Sequence, residues 1–213
     1  MTPLEASRIT KDTCAIAPVI PVLVVEDAGI AQTLAAALID GGLPVLEVTL
    51  RTPDALNVIS EMAQVKGAIV GAGTLLSPDD VEAAKSAGAT FGVSPGSTDA
   101  VLDACEANDL PLLPGASTAT EVMRLLERGY TAQKFFPAEV CGGVAALKSI
   151  AGPIPQVQFC PTGGISLENA QNYLDLPNVL CVGGSWVVPK SKVERSDWDG
   201  IRTIAQNTVR QIS

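Results

Sequence analysis

Leu43-Pro44-Val45-Leu46-Glu47-Val48-Thr49-Leu50-Arg51 reads as a strand with one wholly apolar face and one face that carries a carboxylate. Side chains alternate along a strand, so Leu46, Val48 and Leu50 share one side while Val45, Glu47 and Thr49 share the other. A run this apolar on both sides belongs to a strand covered on both, which is the habit of parallel sheets. Similar runs rich in Val, Ile and Leu occupy residues 19–25, 44–50, 68–73, 90–94, 110–114, 132–136, 156–160 and 179–182. Their starts lie about twenty to twenty-five residues apart, enough for a helix between successive strands and too long for a meander of hairpins.

The intervening segments carry helix signals. Residues 27–42, DAGIAQTLAAALIDGG, are dense in Ala, Leu and Ile and stop at Gly41-Gly42. Ser77-Pro78-Asp79-Asp80 supplies an N-cap, a first-position proline and first-turn acid, and Gly88 ends that helix. Thr118 and Glu121 have the spacing of a capping box, with Gly129 as the stop. The first dozen residues form a helix placed to cap the bottom of the fold, and residues 198–212 form a closing one. The fold class predicted is α/β, a single (β/α)8 TIM barrel over residues 1–213 with an additional N-terminal helix. An open, doubly wound sheet fits much of the pattern. The count of eight, and glycine or polar residues after nearly every strand instead of at one switch point, favour closure.

Composition removes several classes of function. The net charge is -9 and no cluster of Lys or Arg occurs, which argues against a nucleic-acid partner. The most apolar run, residues 15–25, contains two prolines and is short of the ~20 residues needed to span a bilayer, so a membrane partner is not expected. The N-terminus lacks signal-peptide character, and the expected location is the cytoplasm. Five cysteines without a CxxC pair argue against a disulfide framework. There is no histidine, so histidine triads and histidine zinc sites are excluded and acid–base work falls to carboxylates, lysine, tyrosine or thiols.

Two charged residues stand in apolar strands. Glu47, facing inward, is costly to bury unless paired. It is either a general acid/base or half of a structural ion pair with Arg51 or a lysine. Lys134, in Ala132-Gln133-Lys134-Phe135-Phe136-Pro137, sits mid-strand with Phe136 on its own side. Phe135 and, awkwardly, Gln133 then face the helices. A nucleophilic lysine must be uncharged to attack a carbonyl, and apolar surroundings favour that form. The structural alternative is a Lys–Glu pair tying two strands. Two glycine corners, Thr162-Gly163-Gly164 after the seventh run and Gly183-Gly184-Ser185 after the eighth, fall where this fold usually seats a phosphate. Gly71-Ala72-Gly73-Thr74 and Ser94-Pro95-Gly96 line the same rim, with Thr74 placed to meet a carboxylate. No dinucleotide or Walker fingerprint is present.

VLEVTLRT (45–52), GAGT (71–74), SPG (94–96), LPLLPGASTATE (110–121), KFFPAE (134–139), FCPTGGIS (159–166) and GGSW (183–186) together resemble the 2-keto-3-deoxy-6-phosphogluconate aldolases and their relatives acting on 4-hydroxy-2-oxoglutarate. Val140-Cys141-Gly142-Gly143 departs slightly from that pattern. The resemblance implies a class I, metal-independent barrel aldolase without a cofactor, a homotrimer of the Entner–Doudoroff route that cleaves a phosphorylated keto sugar acid to pyruvate and glyceraldehyde 3-phosphate. It further implies Lys134 as the Schiff-base lysine and Glu47 as general acid/base. Arg51, Thr74 and Thr162 would surround the pyruvyl carboxylate. Gly163, Gly164, Gly184 and Ser185 would hold the phosphate, and Pro95 and Phe136 would shape the pocket. Rival readings are an aldolase or decarboxylase of unphosphorylated keto acids using the same lysine, an aldolase of opposite C4 handedness, and a non-catalytic phosphosugar-binding subunit.

Overall fold

Every strand pairs parallel to its neighbours in the computed structural model, which describes residues 1–212. In chain order they are β1 (Val19–Leu23), β2 (Val45–Thr49), β3 (Ile69–Gly73), β4 (Phe91–Val93), β5 (Leu112–Leu113), β6 (Gly115–Ala116), β7 (Ala132–Phe135), β8 (Gln158–Pro161) and β9 (Val182–Gly184). They form a six-stranded sheet in the order β5-β4-β3-β2-β1-β9 and a three-stranded sheet in the order β6-β7-β8. Single parallel bridges, Phe159 to Val179 and Thr162 to Gly183, lie between the two sheets.

Three of the sequence-derived strands need correction. The run at 110–114 is broken, because Pro114 has no N–H to give a ladder and separates β5 from β6. Its carbonyl still accepts from Lys134 N at 2.8 Å. The last strand lies further along the chain than 179–182, and the glycines expected in the loop after it, Gly183 and Gly184, are part of β9 itself. Strand β1 also ends at Leu23, short of Val25.

The helices are α1 (Pro3–Cys14), α2 (Ala31–Asp40), α3 (Ala55–Ala63), α4 (Pro78–Ser86), α5 (Asp99–Ala107), α6 (Ala119–Arg128), α7 (Gly143–Ala151), α8 (Leu167–Leu174), the single turn α9 (Lys190–Val193) and α10 (Trp198–Gln211). Their starts follow the local chemistry. Thr118 Oγ1 accepts from Glu121 N at 3.3 Å while Glu121 Oε2 accepts from Thr118 N at 2.9 Å, and Ser77 and Asp80 make the same reciprocal pair at the head of α4. Each such cap contributes about 1 kcal/mol. Gly129 closes α6 in the left-handed region at φ 114°. The helix read at 27–42 begins instead as a 3-10 turn, Ala28–Ile30, whose Gly29 N donates to Asp27 Oδ1.

The apolar residues divide into two layers. Leu46 and Val48 join Leu34, Leu38, Val58, Ile59 and Met62 in a large cluster between strands and helices. Ile20, Val45, Phe91, Val93, Leu113, Ala132, Cys160 and Cys181 form a second cluster on the opposite face of the strands. Burying one such large aliphatic side chain stabilises by roughly 1.5–3 kcal/mol. A parallel sheet with a core of its own on the helix-free face is curled around that core. Cys14, at the end of α1, belongs to this inner cluster, and Ser7 Oγ accepts from Thr131 N and Ala132 N at 2.8 Å each. α1 therefore sits at the amino ends of the strands, as the sequence suggested, and leaves the carboxyl ends clear.

Candidate active site

β2 and β7 carry the two charges into this inner face. Lys134 Nζ donates to Glu47 Oε1 at 3.2 Å, with side-chain exposures of 6% and 4%. The sequence left open whether Glu47 pairs with Arg51 or with a lysine; Lys134 is its partner. Two opposite charges buried in an apolar layer gain little net stability, because desolvation consumes most of their attraction. Such a pair is better explained by what it can do.

The neighbourhood of the pair is set by residues that make room. Gly73 lies beside Thr49 in the β2–β3 register, and a Cβ there would overlap Glu47 Oε1. The carboxylate can reach Lys134 only because residue 73 has no side chain. Gly73→Ala should therefore push the carboxylate off Lys134, lowering the thermal midpoint through overpacking on the order of 1–3 kcal/mol and lowering by about 10-fold or more any turnover that uses the pair; steady-state kinetics beside a melting curve would check both. Phe136 covers the amine, its ring centroid 5.2 Å from Lys134 Nζ. Cys160, register partner of Lys134, floors the site together with Cys14 and Cys181.

Arg51 and Thr74 occupy the rim. Thr49 Oγ1 donates to Leu23 O at 2.8 Å and accepts from Arg51 Nε at 3.1 Å, so a buried hydroxyl aims an exposed guanidinium. Thr49 is thus a positioning residue that the sequence placed on the inner face without a role. Thr74, half-buried, has φ 65°, a left-handed conformation costly for a β-branched residue. Strain of this kind, on the order of 1–3 kcal/mol, clusters at functional sites. Pro95 is half-buried, and its carbonyl lies where a Cβ on Gly115 would stand, so the loop after β4 presses on β6.

The glycine corners converge at the ends of β8 and β9. Thr162, buried, bridges to Gly183 and its Oγ1 has no hydrogen-bond partner among the described residues. Gly163 and Gly164 follow with φ 101° and 78°, a consecutive left-handed pair that only glycine adopts without strain. Gly184 is buried under the Trp186 ring and Ser185 is exposed. Trp186 is a contact the sequence reading missed, its signal being only the last letter of GGSW.

Of the remaining acid–base candidates, the buried Cys160 thiol beside Lys134 is held below its ordinary range by its contacts with Cys14 and Cys181, while the tyrosines and Cys105 are shifted the other way. Burial pushes the Tyr130 and Tyr173 hydroxyls well above the ordinary range and the Cys105 thiol up to about 12. Among the described residues, no group of three or more Cys, Asp or Glu side chains is placed to hold a metal ion.

A family model described as KDPG and KHG aldolase matches residues 10–204. A 2-dehydro-3-deoxy-phosphogluconate aldolase of Pseudoalteromonas atlantica is 50% identical over 201 residues, covering 94% of both chains. Among solved structures, the 2-keto-3-deoxy-6-phosphogluconate aldolase of Zymomonas mobilis ZM4 with 3-phosphoglycerate superposes with a TM-score of 0.91 at 48% identity, over 95% of this chain and 96% of that one. The KDPG aldolase of Legionella pneumophila, with pyruvate captured at low pH as a covalent carbinolamine, superposes with a TM-score of 0.91 at 43% identity, over 93% and 97%.

Proposed function

The chain belongs to the KDPG and KHG aldolase family, and on that premise we propose that it is a class I aldolase cleaving 2-dehydro-3-deoxy-6-phosphogluconate to pyruvate and glyceraldehyde 3-phosphate. The observation that carries this reading is the buried contact between Lys134 and Glu47, 3.2 Å from Nζ to Oε1. It puts a nucleophile and a proton carrier together in a water-poor layer.

The contact also balances the protons. Transfer from the Lys134 ammonium to Glu47 yields a neutral amine beside a carboxylic acid. The amine attacks the C2 ketone, and the acid returns its proton to the departing hydroxyl as water leaves and the iminium forms. Glu47, again a carboxylate, takes the proton of the C4 hydroxyl directly or through a water. The C3–C4 electron pair flows into the iminium, the aldehyde leaves, and the enamine is protonated at C3. Hydrolysis of the resulting imine frees pyruvate. Arg51, Thr74 and Thr162 hold the pyruvyl carboxylate so that C2 lies within reach of the amine. Amides around Gly163, Gly164, Gly184 and Ser185 hold the phosphate, while Pro95 and Phe136 wall the pocket. No metal or cofactor takes part.

This reading also takes the two sheets as one closed (β/α)8 barrel forming a single domain over residues 1–213. Support comes from the bridges at Phe159–Val179 and Thr162–Gly183 on one side, and on the other from Pro114, the one residue separating β5 from β6. We place it in the cytoplasm; among the described residues no helix is long and apolar enough to cross a membrane. Assembly as a homotrimer rests on the family resemblance, with exposed Val24, Leu76 and Met123 offering apolar surface for contacts between copies. Sedimentation equilibrium would test it.

The deciding experiment for substrate is kinetic. The phosphorylated keto acid should be cleaved with kcat/KM at least about 10-fold above that for 4-hydroxy-2-oxoglutarate, since a charge-assisted hydrogen bond to an anion contributes about 1.5–3 kcal/mol. Equal efficiency would give the unphosphorylated rival the stronger claim.

A further inference from the structure

The glycine turn proposed to seat the phosphate is braced from behind by a residue outside the reacting groups. Ala138 N donates to Thr162 O at 2.8 Å and Glu139 N donates to Gly163 O at 3.1 Å, so the segment after β7 is laced to the turn after β8. The Glu139 side chain then lies across Gly164. A Cβ on that glycine would stand 2.6 Å from Glu139 Cγ and 2.7 Å from its Cβ. The carboxylate is held in turn by the hydroxyl of Tyr173, a wholly buried residue of α8 that donates to Glu139 Oε1. Three elements meet at this one side chain: the loop that follows Lys134 and Phe136, the Gly163–Gly164 turn, and the helix that follows the turn.

A double glycine in the left-handed region has little stiffness of its own, because nothing but its surroundings selects that conformation. Amides that are to bind an anion must be fixed before the anion arrives, or binding energy is spent on ordering them. The bond from Tyr173 supplies that fixation. It also turns the carboxylate toward α8, which matters because a free carboxylate beside an anion seat would repel the anion.

We propose that Glu139, held by the Tyr173 hydroxyl, is a positioning residue that sets the Gly163–Gly164 turn and thereby the affinity for the phosphorylated end of the substrate. This rests on the aldolase reading above and assigns Glu139 no part in the lysine chemistry. The test compares Glu139→Gln and Tyr173→Phe with the wild-type protein on the phosphorylated keto acid and on 4-hydroxy-2-oxoglutarate. Tyr173→Phe should raise KM for the phosphorylated substrate about 10-fold, the scale of one charge-assisted hydrogen bond, with kcat held within about 3-fold and KM for the unphosphorylated substrate unmoved. Glu139→Gln, which keeps the shape and removes the charge, should raise it less and guards against a folding defect in the buried tyrosine variant. Parallel rises in KM for both substrates, a loss confined to kcat, or an unshifted KM in both variants would overturn the brace. Failure of the wild-type protein to form a borohydride-reducible adduct with pyruvate would instead overturn the aldolase reading on which it stands.

Discussion

Lys134→Ala should remove turnover altogether, by at least about 10⁴-fold in kcat, and with it the borohydride-trapped pyruvate adduct on the peptide that carries residue 134. The size of the effect follows from the chemistry: without the amine there is no iminium, and no other group in the pocket can take the electron pair of the C3–C4 bond. Confusion with lost stability is the main hazard, because Lys134 and Glu47 are both buried and paired. Taking away one partner leaves a lone carboxylate in an apolar layer, at a cost of about 3–5 kcal/mol if it stays ionised. Lys134→Arg separates the two effects. The guanidinium keeps a positive charge against Glu47 but cannot be deprotonated to form an imine. A folded, inactive arginine variant would assign the lysine to catalysis. An arginine variant with near-normal cleavage would reduce the pair to a strut between β2 and β7, the alternative that the sequence alone left standing.

How far the sequence could be read depended on whether the deciding contact was local. The alternation in residues 45–50 placed Leu46 and Val48 against the helices and Val45 with Glu47 inward, and the two apolar layers divide in that way because strand periodicity is a property of the backbone. Gln133 looked misplaced on the helix face of β7. Its amide donates to Val122 O, within α6, at 3.2 Å and to Tyr130 O, just past the end of that helix, at 2.9 Å, a tertiary use that no pattern of neighbours announces. β9 was misjudged for the same reason. Glycines weaken a strand by propensity, yet Gly183 and Gly184 are strand residues because the Thr162 side chain and the Trp186 ring occupy the space that side chains would fill. The break at Pro114 was different. Its signal, a missing N–H inside an apolar run, was present in the sequence and was overridden by hydrophobicity. At the site, chemistry-bearing residues were legible as exceptions to their apolar surroundings. Their supports were not: Thr49 beneath Arg51 and Gly73 beneath Glu47 look like ordinary strand residues until the register is known.

Glu47→Gln is expected to separate capture from cleavage. The amide has nearly the shape of the carboxylate, so Lys134 retains a hydrogen-bonding neighbour and the packing against Gly73 is preserved. What is lost is the ability to hold a proton and return it. Removal of a positioned general acid/base typically costs 10²–10⁴-fold, and the C4 hydroxyl proton has no second carboxylate in the described inner layer to receive it, since Glu47 is its one buried acid. kcat for cleavage should therefore fall by about 10²–10⁴-fold. Trapping of pyruvate by borohydride should slow by less, because dehydration of the carbinolamine can draw its proton from water while C–C cleavage needs a base at one defined place. The measurement is a paired one, single-turnover cleavage of the keto acid against the rate of reductive trapping on the same preparation. Equal losses in the two would mean that Glu47 acts only by holding Lys134 in position, and the proton shuttle between Nζ and Oε1 would have to be abandoned. A larger loss in cleavage would place the proton of the C4 hydroxyl on Glu47, the acid that gave up its own proton when the iminium formed.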